Sequence, residues 1–197
     1  MLYYFLRYTL AYVLYIFIHP EVHGAENLNV KGKAIFIANH LSMADPIILA
    51  LVSPRIIHFM AKAELFENWF LKFILRAFLV FPVKRKTVDM QSIKIALSLL
   101  NEGKVFGIFP EGKRSTTGDL DEFEKGAAFL AVRSGAPIIP ICLKYRGRTK
   151  FHPIISVGKP FSIEDIVKNT KKSSAIDLLN DEMTDAVNAL KTHIKSE

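Results

Sequence analysis

Residues 34–51 read Ala-Ile-Phe-Ile-Ala-Asn-His-Leu-Ser-Met-Ala-Asp-Pro-Ile-Ile-Leu-Ala-Leu. The first five are apolar without alternation, which predicts a strand buried on both faces. The apolar run around Pro46 predicts a helix from about Ala44 to Leu51, since proline is tolerated in a first helical turn. Between them stand Asn39, His40, Ser42 and Asp45, polar residues just beyond a strand's carboxyl end.

Outward from this unit the same alternation repeats. Strands are expected at Ile56–Ala61, Leu79–Val83, Val105–Phe109, Ile138–Leu143 and Pro153–Gly158. Helices are expected in the aromatic block that follows Ala61, at Val88–Asn101, at Phe123–Ser134 closed by Gly135, and at Ser174–His193. Met90, Ile93, Leu97 and Leu100 should form one inward face, and Ile176, Leu179, Met183, Val187 and Leu190 another. The pattern predicts an α/β fold, a largely parallel mixed sheet flanked by helices, in a single domain over residues 20–197. Ligands in such sheets bind beyond the carboxyl ends of strands.

The 197 residues are 50% hydrophobic and carry a net charge of +7, which excludes intrinsic disorder. Cys142 is the chain's single cysteine, so an intrachain disulfide framework and a cysteine-based zinc site are excluded. Mean hydropathy is +0.23. Basic and oily together point to an anionic partner and to apolar surface or a lipid contact. The oil has two addresses. Residues 2–18, LYYFLRYTLAYVLYIFI, hold one Arg and five Tyr. A membrane span needs about 20 apolar residues. A helix lying in or dipping into the membrane interface over residues 1–19 therefore fits better than a full span. The second block, Glu64–Val83, places Phe66, Trp69, Phe70, Phe73, Ile74, Ala77 and Phe78 at helical spacing. A buried core helix is expected there, with a partly exposed aromatic face near lipid as the alternative.

Four polar clusters follow strand ends. On an ideal helix His40 and Asp45 would diverge by about 140°, so they meet only if the chain turns between them. Ser42 is a good N-cap for that turn, with Asp45 as the third helical residue. An Asp accepting the His Nδ1–H would leave Nε2 free to deprotonate a hydroxyl. That is two-thirds of a serine-protease triad, with the hydroxyl left to the substrate. A capping box through Asp45, with His40 an ordinary loop histidine, remains open on these residues alone. The second cluster is Pro110-Glu111-Gly112-Lys113-Arg114-Ser115. Gly107 to Lys113 fits the opening of a nucleotide P-loop, but Arg114 stands where Ser or Thr must hold magnesium, and Glu111 would repel phosphate. What remains is a glycine turn presenting Glu111, Lys113 and Arg114, able to hold hydroxyls and phosphate, or merely a solvated charged turn. Lys84-Arg85-Lys86 and the run Lys144–Lys150 are further candidates for anion contacts. Simple electrostatic binding does not need Asn39, His40, Asp45 and Glu111 at strand ends, so no nucleic-acid partner is expected.

Together these segments resemble the glycerolipid acyltransferases, and within them the 1-acyl-sn-glycerol-3-phosphate (lysophosphatidic acid) acyltransferases. The family's NHxxxxD block is similar to Asn39–Asp45, its strand with a following basic residue to FPVKR with Arg85, and its FPEGTRS block to Phe109–Ser115. A hydrophobic run around a proline is similar to APIIPICL at 136–143. Lys113 departs from the family's usual Thr. The resemblance covers roughly residues 20–160 and implies acyl transfer from acyl-CoA or acyl-carrier protein to the sn-2 hydroxyl of lysophosphatidic acid. Other acceptors are glycerol-3-phosphate or another lysophospholipid. It implies His40 as general base, Asp45 as its orienting partner, and Arg85, Glu111, Gly112, Lys113, Arg114, Ser42 and Asn39 around the substrate. No cofactor or metal is required. Membrane lipids are implied as partners, with the protein membrane-associated and its active site on the cytoplasmic side. At 197 residues the chain is short for the family, and a longer carboxy-terminal region or second membrane segment is expected to be absent.

Overall fold

A computed structural model describes residues 5, 9, 16–83, 89–147 and 152–195. Seven strands form one sheet: β1 (Glu21–His23), β2 (Ala34–Ala38), β3 (Ile57–Lys62), β4 (Val80–Val83), β5 (Val105–Ile108), β6 (Ile138–Arg146) and β7 (His152–Val157). Their order is β1-β7-β6-β2-β5-β3-β4. Every neighbouring pair is parallel except β6–β7. The helices are α1 (Asp45–Val52), α2 (Trp69–Ala77), α3 (Met90–Asn101), α4 (Gly126–Ser134), α5 (Glu164–Asn169) and α6 (Lys172–Lys195).

The sheet is covered on both faces, which is why its central strands are apolar throughout. All five residues of β2 are buried. Ile35 and Ile37 point to the side packed by α3, α4 and α6, where Leu100, Ala128, Leu179 and Met183 gather. Ala34, Phe36 and Ala38 point to the other side, with Ile48 and Leu49 of α1 and Ile74 and Leu75 of α2. Burying one such Ile, Leu or Phe stabilises the fold by about 1.5–3 kcal/mol. At the amino end of the strands Arg55 ties three loops together. It donates to the carbonyls of Val30 at 2.6 Å and Gly103 at 2.9 Å, and to that of Gly32.

Several expectations need correction. The aromatic block does not form a buried core helix. A single 3₁₀ turn over Ala63–Phe66 precedes α2, in which Ala77 is the buried residue. Trp69 is 79% exposed, and Phe70 and Phe73 each 54%. The cause is position: α2 lies over β3 and β4 at the sheet's edge and packs through its other side. Met90 is likewise exposed, but the rest of the expected face, Ile93, Leu97 and Leu100, packs on the core together with Ala96, and Ser92 is buried beside it. The expected cap at Ser42 also differs, because the α-helix proper begins at Asp45. Ser42 belongs to a single preceding turn, where its carbonyl accepts Asp45 N–H at 3.2 Å and its Oγ accepts Ala44 N–H at 3.3 Å. The expected interface helix over residues 1–19 falls mostly outside the described residues, of which 16–18 are helical. Among the described residues, no helix is long and apolar enough to cross a membrane.

Candidate active site

The site forms where β2, β5 and β6 end. Asn39, the first residue past β2, is buried. Its Nδ2 donates to the Leu143 carbonyl at 2.9 Å, and its Oδ1 accepts Leu143 N–H at 2.7 Å. Asn39, expected among the substrate contacts, thus has its amide committed to clamping the end of β2 to β6.

His40 follows, and its backbone is held on both sides by the Phe109–Ser115 segment. His40 N–H donates to Glu111 Oε1 at 2.8 Å, and the His40 carbonyl accepts Ser115 N–H at 2.8 Å. The imidazole stacks on Phe109 with centroids 4.3 Å apart, and Phe109 in turn stacks on Phe59 at 5.8 Å. Gly107 makes this stack possible. A Cβ there would lie 2.3 Å from Phe59 Cε1, so only glycine lets the ring lie across β5.

Asp45, at the first position of α1, is fully buried. Its Oδ2 accepts from Leu41 N–H at 2.6 Å, Ser42 N–H at 2.7 Å and His40 Nδ1 at 2.8 Å. A carboxylate only accepts, so the bond to Asp45 places a proton on His40 Nδ1, and in the neutral ring Nε2 is then the acceptor. Among the described residues nothing bonds Nε2, and the side chain keeps 17% of its surface open. The other oxygen, Oδ1, accepts from the Tyr145 hydroxyl. Burial first, and the Asp45 charge second, push the Tyr145 phenol above its ordinary pKa, so it remains a donor. The helix N-terminus adds a favourable field for this anion. The result is a His–Asp pair whose buried carboxylate is held by four protein donors, three on Oδ2 and one on Oδ1.

Glu111 is buried behind His40 rather than lining an open acceptor pocket. Its second oxygen accepts Asp121 N–H at 3.1 Å. Burial raises its pKa, and the two backbone N–H donors oppose that rise. Gly112 takes φ +65°, and a Cβ there would meet the Glu124 carboxylate at 2.3 Å. Arg114 is exposed, with no ion-pair partner among the described residues. Lys113 is also exposed and lies 3.4 Å from Asp121. Arg85 lies outside the described residues. Cys142 is buried in β6 and its thiol is pushed up to about 11 by burial, so it is no nucleophile at neutral pH. Among the described residues no cluster of three His, Cys, Asp or Glu could hold a metal ion.

Tyr145 is the contributor that sequence reading misses. It sits in the basic run Lys144–Lys150, read from sequence as a candidate for anion contacts. The available signal is period two along β6. Ile141, Leu143 and Tyr145 share a face, and that face turns toward α1.

Comparison with known proteins agrees with this geometry. A family model described as Acyltransferase matches residues 19–144. A 1-acyl-sn-glycerol-3-phosphate acyltransferase of Bacillus subtilis is 34% identical over 140 residues, covering 71% of this chain and 68% of that protein. Its namesake in Borreliella burgdorferi is 32% identical over 125 residues, of which this chain spans 50% of the relative's length. The crystal structure titled 1-acyl-sn-glycerophosphate (LPA) acyltransferase, PlsC, from Thermotoga maritima shares the fold. Its TM-score is 0.70 at 22% identity, covering 97% of this chain and 82% of that one. With the family model spanning most of the sheet and both polar blocks around His40, the chain belongs to the acyltransferase family.

Proposed function

We propose that this chain transfers a fatty acyl group from a thioester to the sn-2 hydroxyl of lysophosphatidic acid, giving phosphatidic acid at a membrane surface. The donor is acyl-CoA or acyl-carrier protein. The names of the Bacillus and Borreliella relatives support the acceptor. One observation carries the chemistry: His40 Nδ1 donates to Asp45 Oδ2 at 2.8 Å, leaving Nε2 as a base at the open end of the sheet.

In this reaction Nε2 takes the proton of the acceptor hydroxyl as its oxygen attacks the thioester carbonyl. The new C–O bond forms, a tetrahedral oxyanion collapses, and the C–S bond breaks. The departing sulfur takes the proton back from Nε2–H. Asp45 stabilises the transient imidazolium, as the orienting carboxylate of a triad does. No acyl-enzyme is required. Arg114 and Lys113 are exposed cations one turn from Glu111 and suit the acceptor phosphate, with Arg85 a third.

The test is a thiol-release assay crossing acyl-CoA and acyl-carrier protein with lysophosphatidic acid, glycerol-3-phosphate and uncharged lysolipids. Release with lysophosphatidic acid in wild type, and its loss in His40→Ala, is the expected result. Wild-type rates in His40→Ala would sink the mechanism. Preference for glycerol-3-phosphate would overturn the acceptor.

A further inference from the structure

We propose that the outer face of α2 is a docking surface for anionic bilayers. The idea rests on the lipid-acceptor reading above, and it names the part of the protein that meets the lipid.

Helix α2 carries two complementary stripes. Leu71, Ile74, Leu75 and Phe78 recur at spacings of three and four; Ile74 and Leu75 pack on the core and Phe78 is buried. Trp69, Lys72, Phe73 and Arg76 recur at the same spacings on the opposite side, and all four are exposed. Together with Ala77 they line a shallow groove. Phe70 widens the aromatic patch, its ring edge-on to Trp69 at 5.9 Å. A soluble helix presents charged and polar residues outward. This one presents three aromatic rings with a Lys and an Arg between them. Trp favours the headgroup zone, and long cationic side chains lay their stems on apolar surface while their heads reach phosphate.

Placement gives the patch a purpose. β3 runs parallel to β2 through β5, so the carboxyl end of β3 and His40 lie at the same end of the sheet. The chain leaves β3 at Lys62, and α2 starts after one turn, capped by Asn68. α1 and α2 cover the same sheet face. The first turn of α2, with Trp69 and Phe70, is therefore at the end and on the face where the reacting pair sits. Docking there would set His40 beside the bilayer that supplies its acceptor and takes its product.

A second copy of the chain fits this face poorly. A twofold contact through this face would gather the Lys72 and Arg76 charges of both copies into one interface, and interface cores are depleted of lysine. At the other edge of the sheet the Ile18 carbonyl lies 3.2 Å from His152 Nδ1.

Trp69 is the only tryptophan, so its fluorescence reports this face alone. The experiment adds vesicles of phosphatidylcholine, with and without phosphatidylglycerol, to the full chain, and repeats the addition with brominated lipids. The expected result is a blue shift and bromine quenching on the anionic vesicles. The Lys72→Ala/Arg76→Ala variant should partition about 30-fold more weakly, from the loss of two cations near an anionic surface. Vesicle-bound protein whose Trp69 emission stays unshifted and unquenched overturns the proposal, as does failure to bind vesicles. A shift that follows protein concentration without lipid also overturns it, in favour of self-association. Transfer to a dispersed short-chain acceptor separates the two readings. Activity there with no entry of Trp69 removes the docking surface alone. Entry of Trp69 with no transfer leaves docking standing and removes the reaction.

Discussion

Replacing Tyr145 by Phe removes one oxygen and keeps the ring that packs beside α1. That oxygen is the only described donor to Asp45 Oδ1, whereas Oδ2 has three. Asp45 has no exposed surface, so water cannot take the vacated place without a local opening. A hydrogen bond to a charged group contributes about 1.5–3 kcal/mol. The carboxylate can relieve its loss only by turning Oδ1 toward donors now held by Oδ2, which loosens the bond to His40. Tyr145→Phe should therefore lower unfolding free energy by about 1.5–3 kcal/mol. The same energy lost from the transition state lowers kcat roughly 10- to 100-fold. KM for the acceptor should barely change, because Tyr145 touches the carboxylate and not the acceptor's phosphate contacts. Urea unfolding and steady-state kinetics measure the two effects. In an Asp45→Asn background the same substitution should cost far less, since the charged acceptor is gone. An unchanged kcat in Tyr145→Phe, with stability within about 0.5 kcal/mol of wild type, would refute the claim that the phenol positions the pair.

Asn39→Ala removes both hydrogen bonds that its amide makes to the buried Leu143 backbone; at about 1 kcal/mol per bond, urea unfolding should show a loss of roughly 2–3 kcal/mol. The Glu111 pKa is raised in the fold, so its contribution is most favourable when protonated and is lost as pH rises through the folded pKa. The stability difference between wild type and Glu111→Gln should accordingly vary with pH above 4.5, the ordinary Glu value. A difference that stays flat from acid to neutral pH would remove that assignment. Gly107→Ala forces Phe59 off its place beneath Phe109, so overpacking of about 1–3 kcal/mol should appear in thermal unfolding together with a lower kcat.

Much of the architecture was legible because it is written in adjacent residues. The AIFIA strand has the expected bounds, and the glycine at 135 ends its helix in the left-handed conformation. Other features have no local signature. β7 runs antiparallel to β6, yet both are apolar on both faces, and such a run reads the same in either direction. β1 is three residues long and only half-buried, too short for any period to show. The aromatic helix shows the limit of hydropathy most sharply. Aromatic rings stand on both sides of α2, so hydropathy alone does not say which of them meet the core, and Trp69, Phe70 and Phe73 turn out to face the exterior.

The candidate site divides along the same line. The order of the residue types was enough to single out His40 and Asp45, because a turn between neighbours is a short-range event. Their environment was not. Glu111 looked like a group for the substrate and is a brace behind His40, and Asn39 is a clamp on β6. Tyr145 lay hidden in a basic run. Those partners stand 71, 104 and 100 residues from the groups they bond. Composition and spacing describe what a chain carries within a turn or two. Which distant donor satisfies a buried carboxylate is decided only when strands align and water leaves, because only then does an unpaired polar group become costly.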